Sequence, residues 1–309
     1  MLLEALLGAA VLTAAPMSPP LQEAPSARAQ DPAPVQLDEI VVTGRRLDDL
    51  ISDFVGEVAE PNSNRGLARW DRSVCVGVVN LKSDAAQYIA DRVSTVADDL
   101  GLDAGEPGCA PNIMVVATAD SNAFAKDLVE RRRRSFRTGG SGMDRGLSAL
   151  RDFQDTLRPV RWWQVSAPID SQTGQIATRQ PNEATPIINT TSASRLRTEI
   201  VDRLLRVVVI VDANEVSSVN ISQLADYIAM ISMSQVDPDA DTSQYASILN
   251  VFDQTDAPQY LTDWDRAYLV GLYDAEQNQT NRRAGRSEIS RAIRRAHQDL
   301  VQGNDNPQR

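Results

Sequence analysis

Five consecutive β-branched residues, Val207-Val208-Val209-Ile210-Val211, stand between Arg206 and Asp212. Branching at Cβ favours extended backbone, and a run with no polar alternation fits a strand buried on both faces. Two shorter apolar runs precede it, Cys75-Val76-Gly77-Val78-Val79 and Ile113-Met114-Val115-Val116-Ala117. Between those two, Ala86, Ile89, Ala90, Val93, Val96, Ala97 and Leu100 recur at three- and four-residue spacing, which predicts an amphipathic helix over residues 83–100, stopped by Gly101. A second helix is expected over residues 122–136, with Arg131, Arg132, Arg133 and Arg134 spread around its solvated end. The glycine-rich residues 139–142 then read as a loop. Arg161-Trp162-Trp163-Gln164-Val165-Ser166 reads as a strand whose two tryptophans face opposite sides, one in the core and the other beside a cleft or under a loop. A polar stretch over residues 170–194 reads as loops or a hairpin, and residues 196–205 as a helix leading into the Val207 strand. The order β-α-β-α-β-β implies a mixed α/β (α+β) fold, one layered sheet-and-helix domain.

The formal charge of −11 and pI near 4.7 exclude a nucleic-acid partner, which calls for a basic face. Residues 2–15 form an apolar run and Ala27-Arg28-Ala29 a small-x-small cleavage motif, so residues 1–29 read as a signal peptide, although Glu4 stands where positive charge is usual. The run is too short to span a bilayer, and the alternative is an apolar cytosolic N-terminus. Cys75 and Cys109 are the only two cysteines. If their strands are parallel neighbours joined by the intervening helix, the strand starts lie side by side and the thiols can form a disulfide. The chain-entropy account gives such a bridge about 4 kcal/mol. Two free thiols in a reducing compartment are the other reading. A disulfide and a signal together place the protein in the periplasm or outside the cell.

Residues 30–36 are rich in Pro, Ala and Gln, and lack the apolar surface to order themselves. They lead into Leu37-Asp38-Glu39-Ile40-Val41-Val42-Thr43-Gly44-Arg45-Arg46. This segment resembles the box by which TonB-dependent outer-membrane receptors engage TonB. The resemblance implies that Ile40, Val41, Val42 and Thr43 add as a strand to TonB or an outer-membrane receptor component. An edge strand or linker of the protein itself is the alternative. Residues 30–69 are read as a tether, 70–275 as the folded body, and 276–309 as a basic C-terminal helix and tail.

Three further segments follow in order: an apolar helical pattern over residues 221–233, then Tyr245-Ala246-Ser247-Ile248-Leu249-Asn250, then Leu261-Thr262-Asp263-Trp264-Asp265-Arg266-Ala267-Tyr268-Leu269-Val270-Gly271-Leu272-Tyr273. The succession resembles the C-terminal half of matrixin-type zincin metalloproteases: metal-binding helix, Ser-Ile-Met-like turn, closing helix. Aligned on that family, Ala225, Asp226 and Ala229 occupy the places of the first histidine, the general-base glutamate and the second histidine, and Leu249 that of the methionine. Zinc hydrolysis of this type needs two histidines one helical turn apart. The single histidine of the chain, His297, lies far away on the basic C-terminal helix and reads as a surface residue. It also leaves serine and cysteine nucleophiles without a base.

The resemblance therefore implies a zincin-like fold with no metal, no cofactor and no catalytic residue, acting as a binding or scaffold protein. Three alternatives stay open: a metal-independent hydrolase using carboxylates such as Asp226, a peptide-binding module, and an ordinary core helix capped near Asn220 or Ser222. Asp237, Asp239 and Asp241 alternate as in a calcium loop but lack its glycine and distal glutamate. Asp263 beside Asp265 reads as a helix cap.

Overall fold

The computed structural model describes residues 46–62, 65–137, 143–178, 198–279 and 281–304. The signal segment, Ile40, Val41, Val42 and Thr43, the glycine loop at 139–142 and most of the polar stretch at 170–194 lie outside the described residues. Thirteen elements follow in chain order: α1 (Leu47–Val58), β1 (Ser73–Val74), β2 (Val76–Val79), α2 (Ser83–Asp99), β3 (Asp103–Ala104), β4 (Ile113–Thr118), α3 (Ser121–Phe136), α4 (Gly146–Asp155), β5 (Val160–Asp170), β6 (Ile200–Asp212), α5 (Ile221–Met233), α6 (Asp263–Asp274) and α7 (Arg282–Asn304). The main sheet runs β2-β4-β6-β5, while β1 and β3 form a small parallel pair. Strands β2, β4 and β6 are mutually parallel and β5 closes the sheet antiparallel to β6, so the fold is mixed α/β as expected.

Helix α2 is the crossover between β2 and β4, and the pairing Val76↔Ile113 brings the starts of the two strands together. Cys75 and Cys109 consequently sit at disulfide distance, Cα atoms 6.1 Å apart. Gly105 makes room for them, since a Cβ there would lie 2.6 Å from the Cys109 sulfur.

Residues 200–205, expected in a helix, are strand instead. The long partner β5 decides this: its register with β6 runs from Val160↔Val211 to Asp170↔Ile200, with an irregularity at Val165/Ser166. Pairing along that ladder satisfies the backbone of residues 200–205 and buries Val201 and Leu204, which overrides local helix preference. The folded body also begins well before residue 70. Ile51, Phe54, Val55 and Val58 of α1 are all buried, and the Phe54 ring meets Tyr245, Trp264 and Tyr268 edge-on at centroid distances of 4.8, 5.5 and 5.4 Å. One face of Leu47–Val58, inside the expected tether, thus belongs to the core.

The sheet has a hydrophobic cluster on each face. The larger one holds Trp162, Val209, α1, α2, α5 and α6; the smaller holds Trp163, Ile210, Phe136 and Phe153. The tryptophans do face opposite sides, but both are buried. Trp162 Nε1–H donates to the Val236 carbonyl (3.2 Å) and Trp163 Nε1–H to that of Phe136 (2.9 Å), so neither indole leaves a polar group unsatisfied. The C-terminal helix α7 packs directly on α6. Gly271 permits this approach, because a Cβ there would fall 2.4 Å from the Ile293 backbone. His297 is half-buried with its ring 5.8 Å from that of Trp264, which corrects the reading of a free surface residue. Among the described residues no helix is long and apolar enough to cross a membrane.

Candidate functional site

Helix α5 starts at a capping box. The Asn220 side chain accepts from the Gln223 N–H at 2.9 Å, and the Gln223 side chain accepts from the Asn220 N–H at 3.2 Å. From Gln223 to Met233 every residue is buried, so the helix runs through the core. Ala225, Asp226 and Ala229 each have no exposed surface. Neither alanine carries a donor atom, and both Asp226 oxygens are engaged. Arg92 of α2 donates from Nε to Oδ1 and from Nη2 to Oδ2 (3.1 Å), and the Leu261 N–H donates to Oδ2 at 2.6 Å. The hydrogen bond to Asp226 holds the Arg92 guanidinium above its ordinary pKa. A zinc ion does not fit these residues. A general base needs an oxygen that can reach a substrate proton, and the Asp226 carboxylate is bound on both oxygens and shut off from solvent.

The other two segments of the zincin resemblance meet at Asp265. Its carboxylate is fully buried and accepts from Ser247 Oγ–H (2.6 Å), Ile248 N–H (2.9 Å) and Thr262 N–H (3.0 Å). Burial pushes its pKa up, and these hydrogen bonds pull the other way. Thr262, not Asp263, is the N-cap of α6, and Asp265 completes the capping box. Leu249 is buried in the main core. Asp237 and Asp241 accept from the N–H groups of Asp239 and Ser243, both at 3.0 Å, and Asp239 pairs with Arg158, so the calcium-like run is held as turns.

The larger polar site lies elsewhere, where the chain passes from α1 to β1. Ala59 makes an antiparallel bridge to Val236, and the Glu60 N–H donates to the Gln235 carbonyl at 3.1 Å. Asn62 Nδ2–H donates to the Met143 carbonyl and to Ser166 Oγ, both at 3.1 Å. Arg65 also reaches the Met143 carbonyl (2.9 Å) and Ser166 Oγ (3.2 Å), and pairs with Asp202 of β6, whose second oxygen accepts from the Gly66 N–H at 2.7 Å. Burial raises the Asp202 pKa against the pull of Arg65.

Glu60, Asn62, Arg65 and Asp202 line a cavity of about 340 Å³. Leu272 and Ala275 at the end of α6 and the first turns of α7 line its other side. Glu60 also lines a second cavity of about 220 Å³ beside Arg145, Arg158 and Trp162, and pairs with Arg145. Burial lifts the Glu60 carboxyl to a pKa of about 7; Arg145 opposes that shift, and Asp237 and Asp239 add to it. Sequence reasoning missed Glu60, Asn62 and Arg65 because they fall within the assumed tether, and Asp202 because its stretch was expected in a helix. The signal was the spacing of Ile51, Phe54, Val55 and Val58, a helical apolar face. Ala225, Asp226 and Ala229 lie together in the core but do not line either cavity. No protein-family model, no curated protein and no solved structure matches this chain.

Proposed function

We propose that the chain is an exported, non-catalytic binding protein on a zincin-like scaffold, a pseudo-metalloprotease of the periplasm or cell exterior. One observation carries this reading: the carboxylate at the general-base position is bound on both oxygens by Arg92 and the Leu261 N–H, between two alanines sealed in the core. The zincin part is further supported by the Asp265 carboxylate, which ties the Ser247 turn to the closing helix α6. Export is supported by the Cys75–Cys109 pair and the N-terminal apolar run. Binding is supported by the 340 Å³ cavity, whose lining mixes polar and charged side chains with apolar ones such as Leu67, Ile200, Leu272 and Ile289.

The link to TonB rests on Ile40, Val41, Val42 and Thr43 alone. Mature protein should retain the C-terminal domain of TonB in a pull-down, and Ile40→Pro should abolish retention, because proline removes a ladder donor and disfavours the central strand position. Retention unaffected by Ile40→Pro, or none in either protein, removes TonB as a partner.

A further inference from the structure

Arg131, Arg132, Arg133 and Arg134, consecutive near the end of α3, are all exposed. Four successive positions cover most of the circumference of a helical turn, so this turn stands clear of the body on every side. Arg132 leaves helical geometry (φ −124°, ψ 28°), and beyond it Phe136 turns back to meet Phe153 and Trp163 at ring distances of 5.7 and 6.3 Å. Arg131 pairs with Asp127 at 2.7 Å, whereas Arg132, Arg133 and Arg134 have no ion-pair partner among the described residues. A helix C-terminus favours positive charge, but only over its last turn, where Arg133 and Arg134 suffice. The full row of four exceeds that need, and Arg131 and Arg134, three residues apart, repel each other.

A second, independent feature lies on the helix packed beside them. Among the large apolar residues that are exposed, the two leucines both belong to the α4 stretch: Leu147 is 48% exposed and Leu157, the most exposed of all, 80%. Leu147 lies three residues after Asp144, which pairs with Arg137 at the arginine end of α3. Leu157 follows the end of α4, where Asp155 pairs with Lys126 of α3 at 3.0 Å. Exposed Arg151 lies between the leucines in sequence. Residues 121–157 carry eight basic and five acidic side chains, a net charge of +3 within a chain of −11. The α3–α4 layer therefore presents a local positive charge with apolar side chains beside it, on a molecule that is otherwise acidic.

We infer that the α3–α4 layer docks on the surface of a phospholipid bilayer carrying anionic headgroups. Arginine suits that surface, because its planar guanidinium donates two parallel hydrogen bonds to a phosphate and is weakly hydrated. Leu147 and Leu157 enter the boundary between headgroups and acyl chains, as the apolar residues of interfacial segments do. A purely acidic protein surface would answer the arginines but leave both leucines in water. The acidic remainder of the molecule does not forbid the contact, since charges beyond the Debye length of about 8 Å at physiological salt are screened from the bilayer. This inference does not depend on the pseudo-metalloprotease reading.

The test is co-sedimentation of the mature protein with vesicles of phosphatidylcholine alone and of phosphatidylcholine with one third phosphatidylglycerol. The protein should bind the anionic vesicles at low salt, and about 0.5 M salt should release it. Each arginine at an anionic surface contributes about fivefold to partitioning, so Arg132→Gln/Arg133→Gln/Arg134→Gln should bind roughly a hundredfold more weakly. Leu147→Ser/Leu157→Ser should weaken binding by about tenfold, through lost apolar burial alone. Both variants replace exposed side chains and should unfold in urea as the native sequence does. No binding to anionic vesicles, equal binding to neutral and anionic vesicles, or indifference to the arginine variant each overturns the assignment. Two other outcomes name a different occupant and overturn it as well. One is an arginine-dependent dimer in sedimentation velocity without vesicle binding, which gives the face to a second copy. The other is arginine-dependent binding to soluble polyglutamate as tight as to vesicles and unmoved by the leucine variant, which gives it to an acidic chain.

Discussion

At the scale of single residues, one partly buried carboxyl group sets a pH dependence. Glu60 is 27% exposed at its side chain, and burial lifts its pKa from an ordinary 4.5 to about 7. A carboxyl raised on folding stabilises the native state below pH 4.5, and that stability is lost as pH rises through about 7, because the unfolded chain gives up its proton first. With partial solvent access discounted, the loss is about 2 kcal/mol. Urea unfolding of Glu60→Gln should therefore show a stability that declines less between pH 4.5 and 8 than that of the native sequence. Parallel profiles for the two proteins would contradict the burial of this carboxyl. Asp202 and Asp265 are likewise raised by burial, but each is held by several donors that favour its charged form.

At the scale of elements, helix α1 is where sequence and structure part most. Its apolar residues repeat at helical spacing, but it follows a Pro-rich stretch and has no side-chain cap at Arg46, so the usual start signal is missing. Only the assembled molecule shows that Phe54 fills a ring of Tyr245, Trp264 and Tyr268. Phe54→Ala should cost about 3–5 kcal/mol in chemical unfolding, whereas a tether residue would cost nothing measurable. Strand β6 teaches a related lesson. Its buried half, Val207 to Val211, is legible as a run of β-branched residues, but residues 200–205 become strand only because β5 is long enough to pair with them. Strands β2 and β4, helices α2 and α5, and the disulfide geometry were legible because each follows from local periodicity or from one parallel crossover. The cavity was not legible, because its residues come from three separate stretches of chain, 59–67, 200–202 and 272–289, that only packing brings together.

At the scale of the whole molecule, two long-range ties hold the sheet and helices in register. The Cys75–Cys109 pair closes 34 residues of chain at the β2–β4 end. The double variant Cys75→Ser/Cys109→Ser should lose about 2–4 kcal/mol in unfolding experiments under oxidising conditions, and no change would show that the pair is not bridged. The second tie is the Arg92–Asp226 pair, which joins the crossover helix α2 to the central helix α5 and, through the Leu261 N–H, to the segment before α6. Whether that carboxylate is structural or reactive separates the proposed non-catalytic reading from a hydrolase that uses Asp226, and urea unfolding of Asp226→Asn measures it directly. Removing one partner of a pair this buried should lower stability by about 3 kcal/mol with an unchanged denaturant slope. Unaltered stability, together with loss of a peptide-hydrolysing activity present in the native sequence, would contradict the account.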